Sequence, residues 1–180
     1  LSTVFSVASF FVSRVDTEID LLLAQKSKGD CETPSTLMGK AAISNAQLAY
    51  RDFKRTFDEP RFSVLKRAGA RVQRPLWAST STKNPNYRDL LYVESLVGPD
   101  TVNTMPDATL DAFLDHGVIC QTLDQDINEA ELNLKRLQSM GLDMDQVTAK
   151  LLNDGVKAFE KSYDELVEDI ENKRMALLRG

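Results

Sequence analysis

A run of polar side chains in the middle of the chain follows a short apolar stretch and is the segment best suited to chemistry. Residues 74–87 read RPLWASTSTKNPNY, so four hydroxyls, the Lys83 ammonium and the Asn84 amide come directly after apolar residues. The apolar part is typical of a buried strand, and Pro85 stops the extended run. Barrel and open α/β enzymes build active sites at the carboxyl ends of such strands. A lysine there can hold a phosphate or form an imine with a carbonyl substrate.

A second cation follows an apolar segment near the start of the chain. Residues 4–12, VFSVASFFV, are β-branched and aromatic, which favours a buried strand, and Arg14 comes two residues later. The carboxyl ends of barrel strands converge on one mouth, so we expect Arg14 and Lys83 to meet there. Two cations at one mouth suit a phosphomonoester, which carries about two negative charges. The alternative for Arg14 is a surface ion pair with Asp16 or Glu18.

Other candidate site residues carry hydroxyl or aromatic groups. Ser9, Ser79 and Ser81 can bind substrate hydroxyls or phosphate oxygens, or can satisfy backbone groups near the strand ends instead. Phe11 can form an apolar wall of the pocket or belong to the core. His116 is the chain's one histidine and is expected at the surface, because no Ser-His-Asp or metal-binding set can be assembled around it.

The apolar patterns predict alternating strands and helices. Strands are predicted at 4–12, 75–79 and 101–105. Helices are predicted at 16–28, 39–57, 61–68, 87–96, 106–115, 128–140, 143–153 and 155–178, with a loop at 29–36. Asp107 is expected to cap the helix that begins beside it.

The alternation of strands with helices predicts an α/β fold with a parallel sheet. About three strands leave two open sheet edges, which a stable enzyme does not normally expose. We therefore interpret residues 1–180 as a single domain that is the C-terminal part of a (β/α)8 TIM barrel, followed by C-terminal helices. The chain begins at Leu1, without methionine and almost directly in a strand, which indicates a piece of a longer protein.

Composition favours a soluble globular protein and excludes some partners. The 180 residues are 42% hydrophobic and 27% charged, and the net charge of −5 does not favour a general nucleic-acid surface. No segment reaches the length of a membrane span. Cys31 and Cys120 have no metal-type spacing and are interpreted as reduced thiols of an intracellular protein.

Three segments together resemble transaldolases, in particular the longer form found in cyanobacteria, actinobacteria and plants. They are SVASFFVSRVD (6–16), GKAAISNAQLAY (39–50) and RPLWASTSTKNPNYRDLLYVESLVGPDTVNTMP (74–106). Their order resembles the second half of such an enzyme. The resemblance implies a barrel that moves a dihydroxyacetone unit through a lysine imine, without a cofactor. The usual donor and acceptor are sedoheptulose 7-phosphate and glyceraldehyde 3-phosphate, in the pentose phosphate pathway.

The first segment carries the family's Ser-x-Phe-Val-x-Arg pattern. Here the pattern reads Ser9, Phe11, Val12 and Arg14. By resemblance, the serine and the aromatic ring line the pocket and the arginine holds the substrate phosphate.

The third segment resembles the family at a second basic residue just after the next strand. This position holds Lys83, with Ser79 or Ser81 supplying a hydroxyl. Many transaldolases carry arginine there, and a lysine offers a point charge in place of a two-pronged grip. Both side chains bind phosphate.

The family motifs that carry the imine-forming lysine, the acid/base glutamate and a neighbouring aspartate are absent from the sequence. The resemblance implies that the lysine lies upstream, and that this chain supplies the phosphate-binding side and is inactive alone. Expected partners are sugar phosphates and the N-terminal half of the protein, in the cytoplasm or the plastid stroma. Oligomeric state is left open, as are two alternatives: a related Schiff-base aldolase that uses Lys83, and a non-catalytic phosphosugar-binding or interaction module.

Overall fold

The structure is a computed structural model that describes residues 1–26 and 36–179 of the chain. It divides into two compact units, Leu1–Asp143 and Met144–Gly180. The expectation of a single domain over residues 1–180 therefore stays a prediction. The predicted loop at 29–36, with Cys31, lies outside the described residues except for its last residue.

A three-stranded parallel sheet forms the centre of the first unit. The strands are β1 (Ser6–Phe11), β2 (Gln73–Ala78) and β3 (Val102–Asn103), in the order β1-β2-β3. Phe10 lies opposite Trp77 in the register of the first pair, and Leu76 lies opposite Val102 in the second. Because the strands run in the same direction, their carboxyl ends meet at one edge of the sheet. The predicted α/β class with about three parallel strands is confirmed.

The two faces of this sheet differ, because successive side chains of a strand point to opposite sides. On the covered face Trp77 is fully buried, and the Phe10 ring centroid lies 5.5 Å from that of Trp77. On the other face Ser9 is exposed, and Val7 and Phe11 keep 46% and 41% of their surface exposed. The first strand, predicted as buried, is thus covered on one side within this chain.

Each strand is followed by one or more helices in the chain. Those of the first unit are α1 (Val12–Lys26), α2 (Ala41–Asp58), α3 (Pro60–Arg67), α4 (Leu91–Ser95), α5 (Asp107–His116) and α6 (Ile127–Ser139). Pro60 is the first residue of α3, where its missing N–H costs nothing. Helix α2 packs against α1, α3 and α6.

The core of the first unit draws on most of these elements. Its largest fully buried side chains include Ile19 and Leu23 of α1, Tyr50 of α2, Trp77 of β2 and Tyr92 of α4. The second unit is the helix α7 (Met144–Arg179), and from Leu152 onward its large apolar side chains are exposed. None of the helices in the described part of the chain combines the length and apolarity that crossing a membrane requires.

The structure corrects several predicted boundaries. Helix α1 begins at Val12 and not at residue 16, because Val12 and Val15 belong to the same buried helix face as Ile19. Helix α5 has Pro106 at its N-cap position and no side-chain capping bond, so the expected Asp107 cap is wrong. The segments 143–153 and 155–178, predicted as two helices, form the single helix α7. Gly155 lowers helix stability by about 1 kcal/mol but removes no backbone donor, so it does not end the helix.

Candidate functional site

The carboxyl ends of β1 and β2 are joined directly by the backbone. Strand β1 ends at Phe11 and α1 begins at the next residue, so the chain turns into the helix without a loop. The Ser13 N–H donates to the Ser79 carbonyl at 3.0 Å, which ties the start of α1 to the first residue after β2. Ser79 has a φ of 55°. This left-handed conformation costs a residue with a side chain about 1–2 kcal/mol, and it turns the backbone out of the sheet immediately after Ala78.

Arg14 lies in the first turn of α1 and is exposed. Its guanidinium carbon lies 4.7 Å from the centroid of the Phe11 ring, a cation–π arrangement. The first turn of α1 contains no acidic side chain. Arg14 and the positive pole of the helix therefore lie at the same end of β1, which favours an anionic group there.

Lys83 lies in the segment that follows β2. Its exposed Nζ donates to the Ser81 Oγ at 3.2 Å. Thr80 holds the start of this segment, because its buried hydroxyl lies 2.9 Å from Asn103 Oδ1 and 3.1 Å from the Thr104 carbonyl. The hydroxyl of Thr80 thus stabilises the fold. The Lys83 ammonium stays at the surface, where it forms a hydrogen bond with Ser81.

The structure brings some of the predicted site residues together and leaves others apart. Arg14 contacts Phe11, and Lys83 contacts Ser81. Ser79 contributes its carbonyl to the junction of the two strand ends, and Ser9 lies exposed on β1, two residues before Phe11. No contact between described residues joins the Arg14 pair to the Lys83 pair. The convergence of the two cations on one phosphate therefore stays a prediction.

Sequence reasoning missed a buried network behind this edge. Asp16 Oδ1 accepts from the Ala42 N–H at 2.7 Å, and its Oδ2 accepts from the Tyr92 hydroxyl at 2.8 Å. One helical turn later, Asp20 accepts from the Gly39 N–H at 3.1 Å and from the Tyr87 hydroxyl. The signal was present in the sequence, because the two carboxylates lie four residues apart on the same face of α1 as Ile19.

Burial changes the proton affinities of this network. Loss of water raises the pKa of Asp16 to about 6, although hydrogen bonds from Ala42 and Tyr92 oppose the change. Burial also raises the pKa of Asp20. It raises the pKa of the Tyr87 and Tyr92 phenols as well, and the carboxylate beside each phenol adds to the effect. These phenols therefore stay protonated as donors to the two carboxylates.

The remaining titratable candidates lie at the surface. His116 contacts Asp115 and Asp89, whose hydrogen bonds raise the pKa of the imidazole, and it is exposed, as expected. Cys120 is exposed and forms no disulfide with another described residue. Across residues 1–26 and 36–179, no three His, Cys, Asp or Glu side chains are grouped so that they could hold a metal ion.

Three known proteins that are similar to this chain are all transaldolases. The family described as Transaldolase/Fructose-6-phosphate aldolase matches residues 2–170. The chain is 49% identical over 169 residues to the transaldolase of Mycolicibacterium smegmatis, covering 93% of this chain and 45% of the relative. It is 48% identical over 177 residues to the transaldolase of Thermobifida fusca, covering 98% and 47%. It is also 48% identical over 174 residues to the transaldolase of a Parafrankia strain, covering 96% and 46%.

The chain spans about half the length of the curated relatives that it matches. Its parallel strands and helices are consistent with part of a TIM barrel followed by C-terminal helices. The family match covers both the strand ends that carry Arg14 and Lys83 and most of α7. The chain belongs to the transaldolase/fructose-6-phosphate aldolase family.

Proposed function

We propose that this chain forms the phosphate-binding side of a transaldolase. The complete enzyme would transfer a dihydroxyacetone unit from sedoheptulose 7-phosphate to glyceraldehyde 3-phosphate in the pentose phosphate pathway. The observation that carries the proposal is the placement of Arg14 on Phe11 after β1 and of Lys83 on Ser81 after the neighbouring β2. Because β1 and β2 are adjacent and parallel, Arg14 and Lys83 both follow the carboxyl ends of strands at the same end of the sheet.

Each proposed residue has a distinct task at a sugar phosphate. The guanidinium of Arg14 can grip two phosphate oxygens at once, and the Phe11 ring beneath it limits its orientations. Lys83 adds a point charge, and Ser9, Ser79 and Ser81 offer hydroxyls to the sugar or the phosphate. This grip supplies affinity and orientation, and it leaves the bond-breaking step to a lysine elsewhere.

The imine-forming lysine belongs, in this proposal, to a further half of the barrel. Within the described residues, β1 and β3 each pair only with β2, so the outer edge of each strand is unpaired. The face that carries Ser9 and Phe11 is also open. A complementary set of strands would satisfy both edges and cover this face, as expected for a barrel that closes on itself. Such an enzyme would work in the cytoplasm or the plastid stroma.

The alternative in which Lys83 itself forms the imine has less support. Imine-forming lysines are activated in desolvated pockets or beside other cations. Lys83 is exposed, and its Nζ donates a hydrogen bond to the hydroxyl of Ser81. The other alternative, a non-catalytic phosphosugar-binding module, uses the same cations and differs only in the absence of a partner half.

A single reconstitution experiment distinguishes the transaldolase proposal from these two alternatives. The chain is produced together with the N-terminal half of the Mycolicibacterium smegmatis transaldolase, treated with fructose 6-phosphate and borohydride, and mapped by mass spectrometry. We expect the label on a lysine of the added half. A label on Lys83 would establish the aldolase alternative, and binding without any label would establish the non-catalytic module.

The phosphate grip is tested by substitution in the same complex. Arg14→Ala and Lys83→Ala should each weaken binding of fructose 6-phosphate about tenfold or more, because each removes a charged hydrogen bond. Lys54→Ala is the matched control: Lys54 is a partly exposed cation on α2 that pairs with Asp124. Equal effects of all three substitutions would contradict the proposed phosphate site.

A further inference from the structure

The two buried carboxylates of α1 connect three segments of the first unit. Asp16 is 1% exposed and Asp20 is 9% exposed. Each accepts one backbone N–H from the segment at the start of α2, donated by Ala42 and Gly39. Each also accepts one phenol from the chain after β2. A buried carboxylate needs such donors to offset its lost hydration, so these four bonds hold the segments in one arrangement.

The connected segments are those that carry the two proposed phosphate-binding cations. Arg14 lies two residues before Asp16 on α1, and Lys83 lies four residues before Tyr87. The hydrogen bond from Tyr87 to Asp20 therefore fixes the far end of the Lys83 segment to the helix of Arg14. At the near end of that segment, the Ser79 carbonyl accepts from the Ser13 N–H of the same helix.

A cavity of about 290 Å³ lies along this connection. Its lining includes the two carboxylates, the two phenols, and Lys83 with its neighbour Asn84. The Lys83 segment thus lies directly beside the network. We therefore expect a change in the network to alter the position of this segment.

We infer that Asp16 and Asp20, acting through Tyr92 and Tyr87, are positioning residues for the phosphate grip of Arg14 and Lys83. They do not touch the substrate. They hold the helix of Arg14 and the segment of Lys83 at a fixed separation. Both cations are therefore already arranged to bind one phosphate before it arrives. This inference rests on the proposed function, because it assumes that the two cations bind one anion.

The test uses substitutions that remove a single oxygen. Tyr87→Phe and Tyr92→Phe in the reconstituted complex keep the rings and delete only the bonds to the carboxylates. Tyr50→Phe is the control, because the Tyr50 hydroxyl, on a buried ring, donates to the Pro99 carbonyl at 3.0 Å, away from the network. Binding of inorganic phosphate and of fructose 6-phosphate is measured by calorimetry, beside the thermal midpoint of each variant.

We expect Tyr87→Phe and Tyr92→Phe to weaken both ligands by the same factor, about three- to tenfold, because only the grip on the anion changes. Tyr50→Phe should lower the thermal midpoint comparably and leave both affinities unchanged. If the two network variants bind as tightly as Tyr50→Phe, the positioning role is overturned while the proposed function stands. If the unsubstituted complex binds no phosphate, or binds it equally with Arg14→Ala, the proposed function fails and this inference fails with it.

Discussion

The two faces of helix α1 both carry charged side chains, but one face is exposed to solvent and the other is buried. Arg14 lies on the exposed face, where its one aromatic contact leaves the guanidinium open to an anion. Asp16 and Asp20 lie on the buried face, where backbone and phenol donors surround each carboxylate. A charge that is available to a ligand can therefore remain at the surface with few protein contacts. A charge that serves the fold must be paired almost completely, because burial without partners costs far more.

Removal of one charge from each face of α1 should have the largest effect on stability. We expect Asp16→Ala to lower the free energy of unfolding by about 4 kcal/mol, since two buried donors lose their acceptor and a cavity forms. Arg14→Ala should cost less than about 1 kcal/mol, the size of an exposed cation–π contact. Urea unfolding of both variants, followed by circular dichroism, measures the difference. Equal losses would show that the two faces do not differ in this way.

A smaller effect follows from the pKa of Asp16. Since this pKa is about 6 in the folded chain against 3.8 for an ordinary aspartate, the folded state holds the proton more tightly between these values. The contribution of Asp16 to stability should therefore fall as pH rises from about 4 to about 6, by at most about 3 kcal/mol. The charged and titratable groups around it are Asp20, Tyr92, Tyr87 and Lys83.

This pH dependence is read from the difference in unfolding free energy between the unsubstituted chain and Asp16→Asn. The difference removes the titration of the other carboxyl groups. A difference that is constant from pH 4 to pH 7 would contradict the raised pKa of Asp16.

The smallest expected effect concerns the glycine that donates to Asp20. Gly39 has a φ of 71°, and a Cβ there would lie 2.9 Å from the Tyr87 ring. Gly39→Ala should lower stability by about 2–3 kcal/mol, from backbone strain and from displacement of Tyr87. Gly69→Ala is the matched control: Gly69 has a φ of 86°, but its Cβ would only touch Ser2 at ordinary distances. Thermal unfolding should show the larger loss for Gly39→Ala, and a larger loss at Gly69 would count against the tight Tyr87 packing.

Much of the fold follows from local patterns, and the exceptions have physical causes. The predicted helices 61–68 and 106–115 start within one residue of α3 and α5, because a proline beside each start acts on its own backbone. The predicted strand at 4–12 is longer than β1 (Ser6–Phe11). At its end, Val12 suits a strand by composition but a helix by its spacing from Val15 and Ile19. The division of α7 at Gly155 was wrong, because helix propensity is a weak force beside a continuous ladder of backbone bonds.

By itself, the sequence determined the alternation of strands and helices, the family, and the candidate cations Arg14 and Lys83 at two strand ends. These depend on periodicity and on short motifs, which are properties of neighbouring residues. Only the tertiary structure decided that Asp16 pairs with Tyr92 and Asp20 with Tyr87, across 76 and 67 residues. Nothing local marks such pairs, since a carboxylate in a helix and a distant phenol become partners only when folding removes both from water.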